Sequence, residues 1–331
     1  MRAVRSSRLA VLLALLGTVV VGCAGTVKPV DLASVDKVER PEPVGATENP
    51  APPSTSVAPA PDCNPEASFR PFDPMPQPGQ MPAGSTMKAI QDSGKLIAGV
   101  DQNTFLFGFR NPTTNQLEGF DIDRVREIAK AIFGDPNAVQ FKVLTSNDRI
   151  PALRDGKVHV VVRTMTATCT RWQDINFSAI YYVAGQRLLV DQTSKVESLD
   201  DLNGQKVCAA EGSTSIKTID EHPAGPIPVQ VANWTDCLVM LQQGQVAAVS
   251  TDDTILSGMV AQDPNVKMVG PRFTAEPYGI GIPKNNVDMV KFVNGVIAQS
   301  IASGAWDASY DHWLADTGQQ KPEPPTPVYQ D

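Results

Sequence analysis

The stretch His159-Val-Val-Val162, continued by Arg163-Thr-Met-Thr-Ala-Thr-Cys-Thr-Arg171, decides how the fold is read. Three consecutive valines shortly after Gly156 are too few for a helix and apolar on both faces, the pattern of a strand inside a parallel sheet. Small hydroxyl residues then carry the chain into a helix start before Arg171, because such residues favour caps and turns over helix interiors. The same strand-then-helix rhythm recurs on both sides. Lys95–Val100 is a short apolar strand. Phe120–Phe133 places Ile122, Val125, Ile128, Ala129 and Ile132 on one helical face, with Asp121 as the expected N-cap and Gly134 past the end. Val139–Leu144 is a strand, Ile150–Arg154 a short helix, and Lys206–Ala210 a strand leading into a helix from Ser213. Val246–Thr251 is a strand running into Asp252-Asp253 and a further helix, and Val287–Ser303 is a long amphipathic helix stopped by Gly304. This alternation predicts α/β domains with mostly parallel sheets.

The whole chain has 331 residues, enough for two such domains, and is 42% hydrophobic, enough to build their cores. Its net charge is −8, which argues against a nucleic-acid partner. His159, His222 and His312 are scattered, and the five cysteines show no zinc spacing, so no metal site is expected. Phosphate-loop, nucleophile-elbow and dinucleotide signatures are missing, so no cofactor and no enzymatic activity are expected.

The N-terminus reads as an export address. Arg2, Arg5 and Arg8 precede the apolar run Leu9–Val21, which is too short to span a bilayer comfortably, and then comes Gly22-Cys23. Residues 1–22 are therefore expected to be a signal peptide. Its ending resembles a bacterial lipobox, which implies acylation of Cys23 and attachment to the outer face of the cell membrane through a lipid anchor alone. Residues 23–84 hold thirteen prolines between Pro41 and Pro82 and are expected to form an extended tether; residues near Cys63 are the part open to packing on the globule. Residues 318–331 are expected to be a loose tail. Exported chains favour disulfides, and the favoured pairs are Cys208–Cys237 and Cys63–Cys169 out of three possible pairings.

Four segments, each following a strand end, converge on one expected pocket. Arg171 offers a planar fork to a carboxylate and Thr166 a hydroxyl. Glu211-Gly-Ser-Thr-Ser215 opens a helix whose first N–H groups are free for an anion. Asp252 and Asp253 follow a buried strand and offer an acid to an ammonium group. Asp101–Phe109 is an aromatic-rich loop whose rings stand ready to cover a ligand stem. Together they complement a free α-amino acid zwitterion.

Eight runs in order resemble the polar-amino-acid solute-binding proteins of ABC importers, the glutamine- and glutamate/aspartate-binding ones above all. They are Gly119–Asp123, Asn147–Leu153, Thr164–Thr166 with Arg171, Asn176–Tyr182, Gly185–Leu189, Gly212–Ser215, Thr251–Thr254 and Tyr278–Pro283. The resemblance implies a two-lobed, type II periplasmic-binding-protein-like fold with two crossover strands, near 184–188 and 270–276, and the ligand in the interlobe cleft. Lobe 1 would be 85–184 plus 276–317, and lobe 2 would be 185–275. By position, Arg171 matches the residue that grips the α-carboxylate, helped by Thr166 and the Thr164 backbone. Ser213 and Thr214 match the second-lobe segment that closes on it, and Asp252 the acid that takes the α-ammonium. Two departures stand out. Arg163 replaces a small residue and, if it pointed into the cleft, would favour a side-chain carboxylate; Asp101 is placed to neutralise it and leave room for an amide. Ser146 stands where a stacking aromatic is common, a role passed here to Phe105 or Phe107. The expected ligand is Asp or Glu, with Asn or Gln the alternative, and the chain is expected to act as a monomer delivering it to a membrane permease by hinge closure. A sensor subunit signalling to a membrane protein, or a cleft dehydratase, are the competing readings.

Overall fold

The computed structural model describes residues 40–50 and 62–330. The signal segment 1–22, Cys23 and much of the N-terminal tether lie outside the described residues.

Each sheet grows from one of the short apolar runs. Leu96–Val100 pairs in parallel with Val139–Val143 on one side and Val160–Val161 on the other. Gly281–Pro283 and Ile175–Phe177 complete a five-stranded sheet, joined antiparallel. Lys206–Ala210 pairs in parallel with Ile227–Val231 and Ala248–Asp252, and Gln186–Asp191 and Val266–Val269 extend that sheet antiparallel. Thr47–Glu48 adds an outer strand against Ile227–Val231, making six strands. The two sheets are linked by an antiparallel pair of their own, Tyr182–Ala184 with Glu276–Tyr278, through which the chain passes from the first lobe to the second and back.

Helices cover the sheets because their apolar stripes have nowhere else to go. Phe120–Phe133 buries Phe120, Ile122, Val125, Ile128, Ala129 and Ile132 against the first sheet, and Val287–Ala302 packs beside it. Each fully buried aliphatic side chain there is worth about 1.5–3 kcal/mol. Next to the hinge pair stands an aromatic cluster of Phe107, Phe120, Tyr182, Tyr278, Trp306 and Tyr310, with ring centroids 5.5–6.5 Å apart. The second lobe has its own core, with Leu202, Val207, Cys208, Cys237 and Val249 at its centre.

Several expectations change. Asp121 is not a cap. Gly119 holds the cap position at φ +124°, where a Cβ would lie 2.3 Å from the Phe107 carbonyl oxygen, and Asp121 sits buried inside the first turn. The tether ends earlier than residue 84. From Cys63 onward it is part of the globule: Ser68 Oγ donates to the Phe177 carbonyl, Asn294 Nδ2 donates to Ser68 Oγ, and Met75 lies against Gly295. The tail is not loose either. Lys321 pairs with Asp307 and Asp311, and Val328–Tyr329 forms a parallel strand on Ala67–Ser68. Prolines exclude central strands but not two-residue edge pairings, which is how both segments attach. The bonds Cys63–Cys169 and Cys208–Cys237 are present, with Cα separations of 5.9 and 5.5 Å.

Candidate functional site

Strand ends and helix starts from both lobes meet at one narrow cleft, lined by Ser146, Arg149, Thr164, Thr166 and Arg171 from the first lobe. Ser213, Thr214, Ser215, Trp234, Asp252 and Ile255 line it from the second.

Arg171 reaches the cleft from the short Cys169–Asp174 helix, whose N-cap Thr168 accepts from the Arg171 N–H. That helix is tied down by the Cys63–Cys169 bond and by Trp172 Nε1 donating to the Pro65 carbonyl at 2.9 Å. The guanidinium donates to the Thr166 carbonyl at 2.8 Å and, across the cleft, to the Gly212 carbonyl at 3.0 Å. Arg149 lies beside it, donating to the carbonyls of Ser146, Arg163 and Gly212. Burial, together with the positive charges of Arg171 and Arg163, holds the Arg149 pKa well below its ordinary value; burial also lowers that of Arg171. Two desolvated guanidiniums whose partners are neutral carbonyls make a strong site for an anion.

Thr164 holds φ +39°, rare for a β-branched residue. Its N–H donates to Asp121 Oδ2 at 2.9 Å, and Tyr181 donates to the other oxygen at 2.7 Å. Burial raises the Asp121 pKa to about 7. Strain supported by a buried bond is typical of a functional segment.

Across the cleft, Gly212 has φ +72°, and a Cβ there would stand 2.8 Å from Asn147 Cα of the first lobe. Ser213 caps the next helix by accepting from the Ile216 N–H. Asp252 ends its strand and holds the cap position of the helix that follows, but its side chain makes no cap bond. Tyr278 donates to Asp252 Oδ2 at 2.6 Å, and Thr254 in turn donates to Tyr278. Asp252 Oδ1 is buried with no hydrogen-bond partner among the described residues. Burial, and then the negative charge of Glu276, raise the Asp252 pKa to about 8. A cation placed against Oδ1 would reverse that shift.

Not every expected residue reaches the cleft. Arg163 is buried behind Ser146: it pairs with Asp101 at 2.9 Å, donates to Ser146 Oγ at 2.6 Å and donates to the Leu144 carbonyl. Asp101 faces that ion pair and Thr104. Phe107 belongs to the aromatic core, fully buried. Phe105 packs edge-on against Phe109 at 4.8 Å, with its carbonyl against Gly258. Neither is among the residues that line the cleft: Phe107 packs with Tyr182 and Tyr278, and Phe105 with Phe109. The hydroxyls of Thr166 and Thr214 both donate to Glu276 Oε2, at 2.6 and 2.8 Å, so their protons are already engaged.

Sequence reasoning missed Glu276, Arg149, Trp234 and Ile255. Arg149 lay within the quoted Asn147–Leu153 run without a role. Among the described residues no cluster of His, Cys, Asp and Glu could hold a metal ion, and no helix is long and apolar enough to cross a membrane.

Comparison with known proteins agrees with this architecture. The ABC transporter glutamine-binding protein GlnH of Bacillus subtilis is 39% identical over 232 residues, 70% of this chain and 85% of its own length. The glutamine-binding protein of Geobacillus stearothermophilus is 40% identical over 208 residues, 62% of this chain and 79% of its own. Among solved structures, an ancestral arginine-binding protein bound to glutamine matches with a TM-score of 0.63 and 34% identity, over 67% of this chain and 99% of that one. The arginine-binding protein of T. maritima, as its P235GK mutant, matches with a TM-score of 0.65 and 26% identity, over 70% of this chain and 99% of that one. The fold is the two-lobed α/β fold of type II periplasmic binding proteins, a fold these relatives use for binding solutes and not for enzymatic turnover. The match to bacterial extracellular solute-binding proteins, family 3, runs over residues 96–316, and the chain belongs to that family.

Proposed function

We propose that this protein binds free L-glutamine outside the cytoplasm and hands it to an ABC importer. One observation carries the reading: an anion-seeking pair, Arg171 and Arg149, faces an unpartnered carboxylate oxygen of Asp252 across one narrow cleft. Arg171 takes the α-carboxylate, assisted by Arg149 beside it and by the Ser213–Thr214 helix start. Asp252 Oδ1 takes the α-ammonium. The choice of an amide over Asp or Glu rests on Arg163. Its charge is matched by Asp101 behind the cleft wall, and in this reading Arg149 serves the α-carboxylate beside Arg171, so neither is offered to a side-chain carboxylate. The two relatives named above at 39% and 40% identity, both glutamine-binding proteins, support the same choice.

Residues 185–275 act as the moving lobe against 85–184 plus 276–317. Ligand that touches both lobes only when they are closed shifts the population to the closed form, which the permease reads. Cys23 anchors the mature chain, which works as a monomer. Calorimetric titration of refolded, ligand-stripped protein against the twenty L-amino acids tests the proposal. Glutamine binding tightest, at micromolar Kd or better, is the expected result; tightest binding of Asp or Glu refutes the amide choice, and no binding at all refutes the amino-acid reading.

A further inference from the structure

Among the described residues that line the cleft, two buried side-chain polar atoms lack a hydrogen bond: Asp252 Oδ1, an acceptor, and Trp234 Nε1, a donor. Trp234 is the first residue of the Trp234–Gln242 helix and is 3% exposed. The other three tryptophans all have partners. Trp172 donates to Pro65, Trp306 to Tyr181 and Trp313 to Asp123. An indole N–H can only donate, and leaving it buried and unpaired is unfavourable, so Trp234 lacks an acceptor that a ligand can bring. Trp234 lines the same cleft as Ser146, whose hydroxyl accepts from Arg163 of the buried Arg163–Asp101 pair.

We infer that Trp234 is the specificity-determining residue of the site, its indole N–H donating to the side-chain carbonyl oxygen of the bound amino acid. The inference deepens the glutamine reading and rests on it. The zwitterion is assigned to Arg171 and Asp252, and we place the side-chain carbonyl oxygen, the further acceptor a glutamine carries, against the indole; a ligand with the same zwitterion and no side-chain acceptor separates this from a bond to the α-carboxylate. Arginine and lysine end in donors only and leave the indole unpaired. A site that pairs a buried donor rejects ligands without the acceptor far more strongly than a site that merely excludes size. A carboxylate would satisfy the indole but would bring a charge that Arg163, already paired with Asp101, does not balance.

Two measurements test this. In 15N-labelled protein the four indole N–H signals are resolved, and the one missing in Trp234→Phe is that of Trp234. Saturating glutamine should shift that signal downfield and slow its exchange with solvent; a signal that does not move overturns the inference. In titrations, Trp234→Phe should weaken glutamine 10- to 100-fold relative to the unmutated protein while changing L-norvaline, which has the same zwitterion and no side-chain acceptor, by less than twofold. An equal loss for both ligands assigns Trp234 a packing role and overturns the proposal. If the unmutated protein fails to bind glutamine but binds another amino acid, the glutamine reading fails first, and the labelled indole signal with that ligand reports separately on Trp234.

Discussion

The two walls of the cleft are finished to different degrees. On the first-lobe wall Arg149 and Arg171 are held by backbone carbonyls, and neither forms an ion pair among the described residues. Arg171 uses two of its N–H groups on carbonyls, leaving others of its fork for a carboxylate. On the second-lobe wall Asp252 Oδ1 and Trp234 Nε1 have no hydrogen-bond partner among the described residues. The cations of one wall already have carbonyl partners, among them Gly212 across the cleft; the other wall keeps an acceptor and a donor unmet among the described residues. Affinity is therefore stored mainly in the first lobe's geometry, and discrimination mainly in what the second lobe lacks.

The sharpest way to break this asymmetry is Arg171→Ala. Loss of a buried, charge-assisted partner costs about 2–5 kcal/mol, so glutamine affinity should fall by roughly 30- to several-thousand-fold in titration calorimetry. Unchanged binding would remove Arg171 from the site. Proton linkage tests the opposite wall. Asp252 titrates near 8 in the empty cleft and must ionise to meet an ammonium, so binding should release about one proton below pH 8 and affinity should rise by up to about tenfold per pH unit toward pH 8. Calorimetry in buffers of different ionisation heat reads that proton, and Asp252→Asn should abolish it. The sign for stability runs the other way. Asp252 and Asp121 both titrate above the ordinary carboxylate value of 3.8, so their contribution is full below that value and is lost as pH rises through about 7 and 8. The ligand-free Tm should fall between pH 6 and pH 9.

Gly212→Val probes the seam itself. A Cβ at positive φ costs about 1–2 kcal/mol, and here it also meets Asn147 across the cleft. We expect affinity to drop by roughly ten-fold, with small-angle scattering showing a more open particle at partial saturation. The smallest effect is expected for Glu276→Gln. Removing its charge relieves the repulsion that raises the Asp252 pKa, so the midpoint of proton release should move to lower pH while glutamine affinity changes only a few-fold. An upward shift would contradict the electrostatics described here.

Periodicity carried most of the fold. Phe120–Phe133 and Lys206–Ala210 are helix and strand over the residues their patterns predict, because each buries its apolar positions against one sheet. The first-lobe lining of the cleft was partly legible, since Thr166 and Arg171 belong to one local strand-to-helix turn. Glu276 and Trp234 were not. Glu276 meets Thr166 from a strand 110 residues away, and only because that strand crosses back at the hinge. Trp234 reads as an ordinary core residue at a helix start; its missing partner exists only in three dimensions. Asp121 misled because an acid near a helix start usually caps, whereas the close approach of Gly119 to the Phe107 backbone had already claimed that position. The tail and the 63–84 segment were hidden because a two-residue edge strand has no period.

The edge strand Thr47–Glu48 has a mechanical consequence. It is zipped to the second-lobe sheet, with Lys206 paired to Glu48, whereas Cys63 is bonded covalently into the first lobe. The chain from Glu48 to Cys63 is thus a third bridge between the lobes, and fully extended it reaches roughly 50 Å. A load applied from the N-terminal side meets the second lobe first, through a ladder two residues long. Once that ladder peels, the force passes to the disulfide beside the Arg171 helix and the second lobe swings free of it. Two residues of strand pairing are far weaker than a covalent bond, so under such a load the ladder parts before the Cys63–Cys169 bond does.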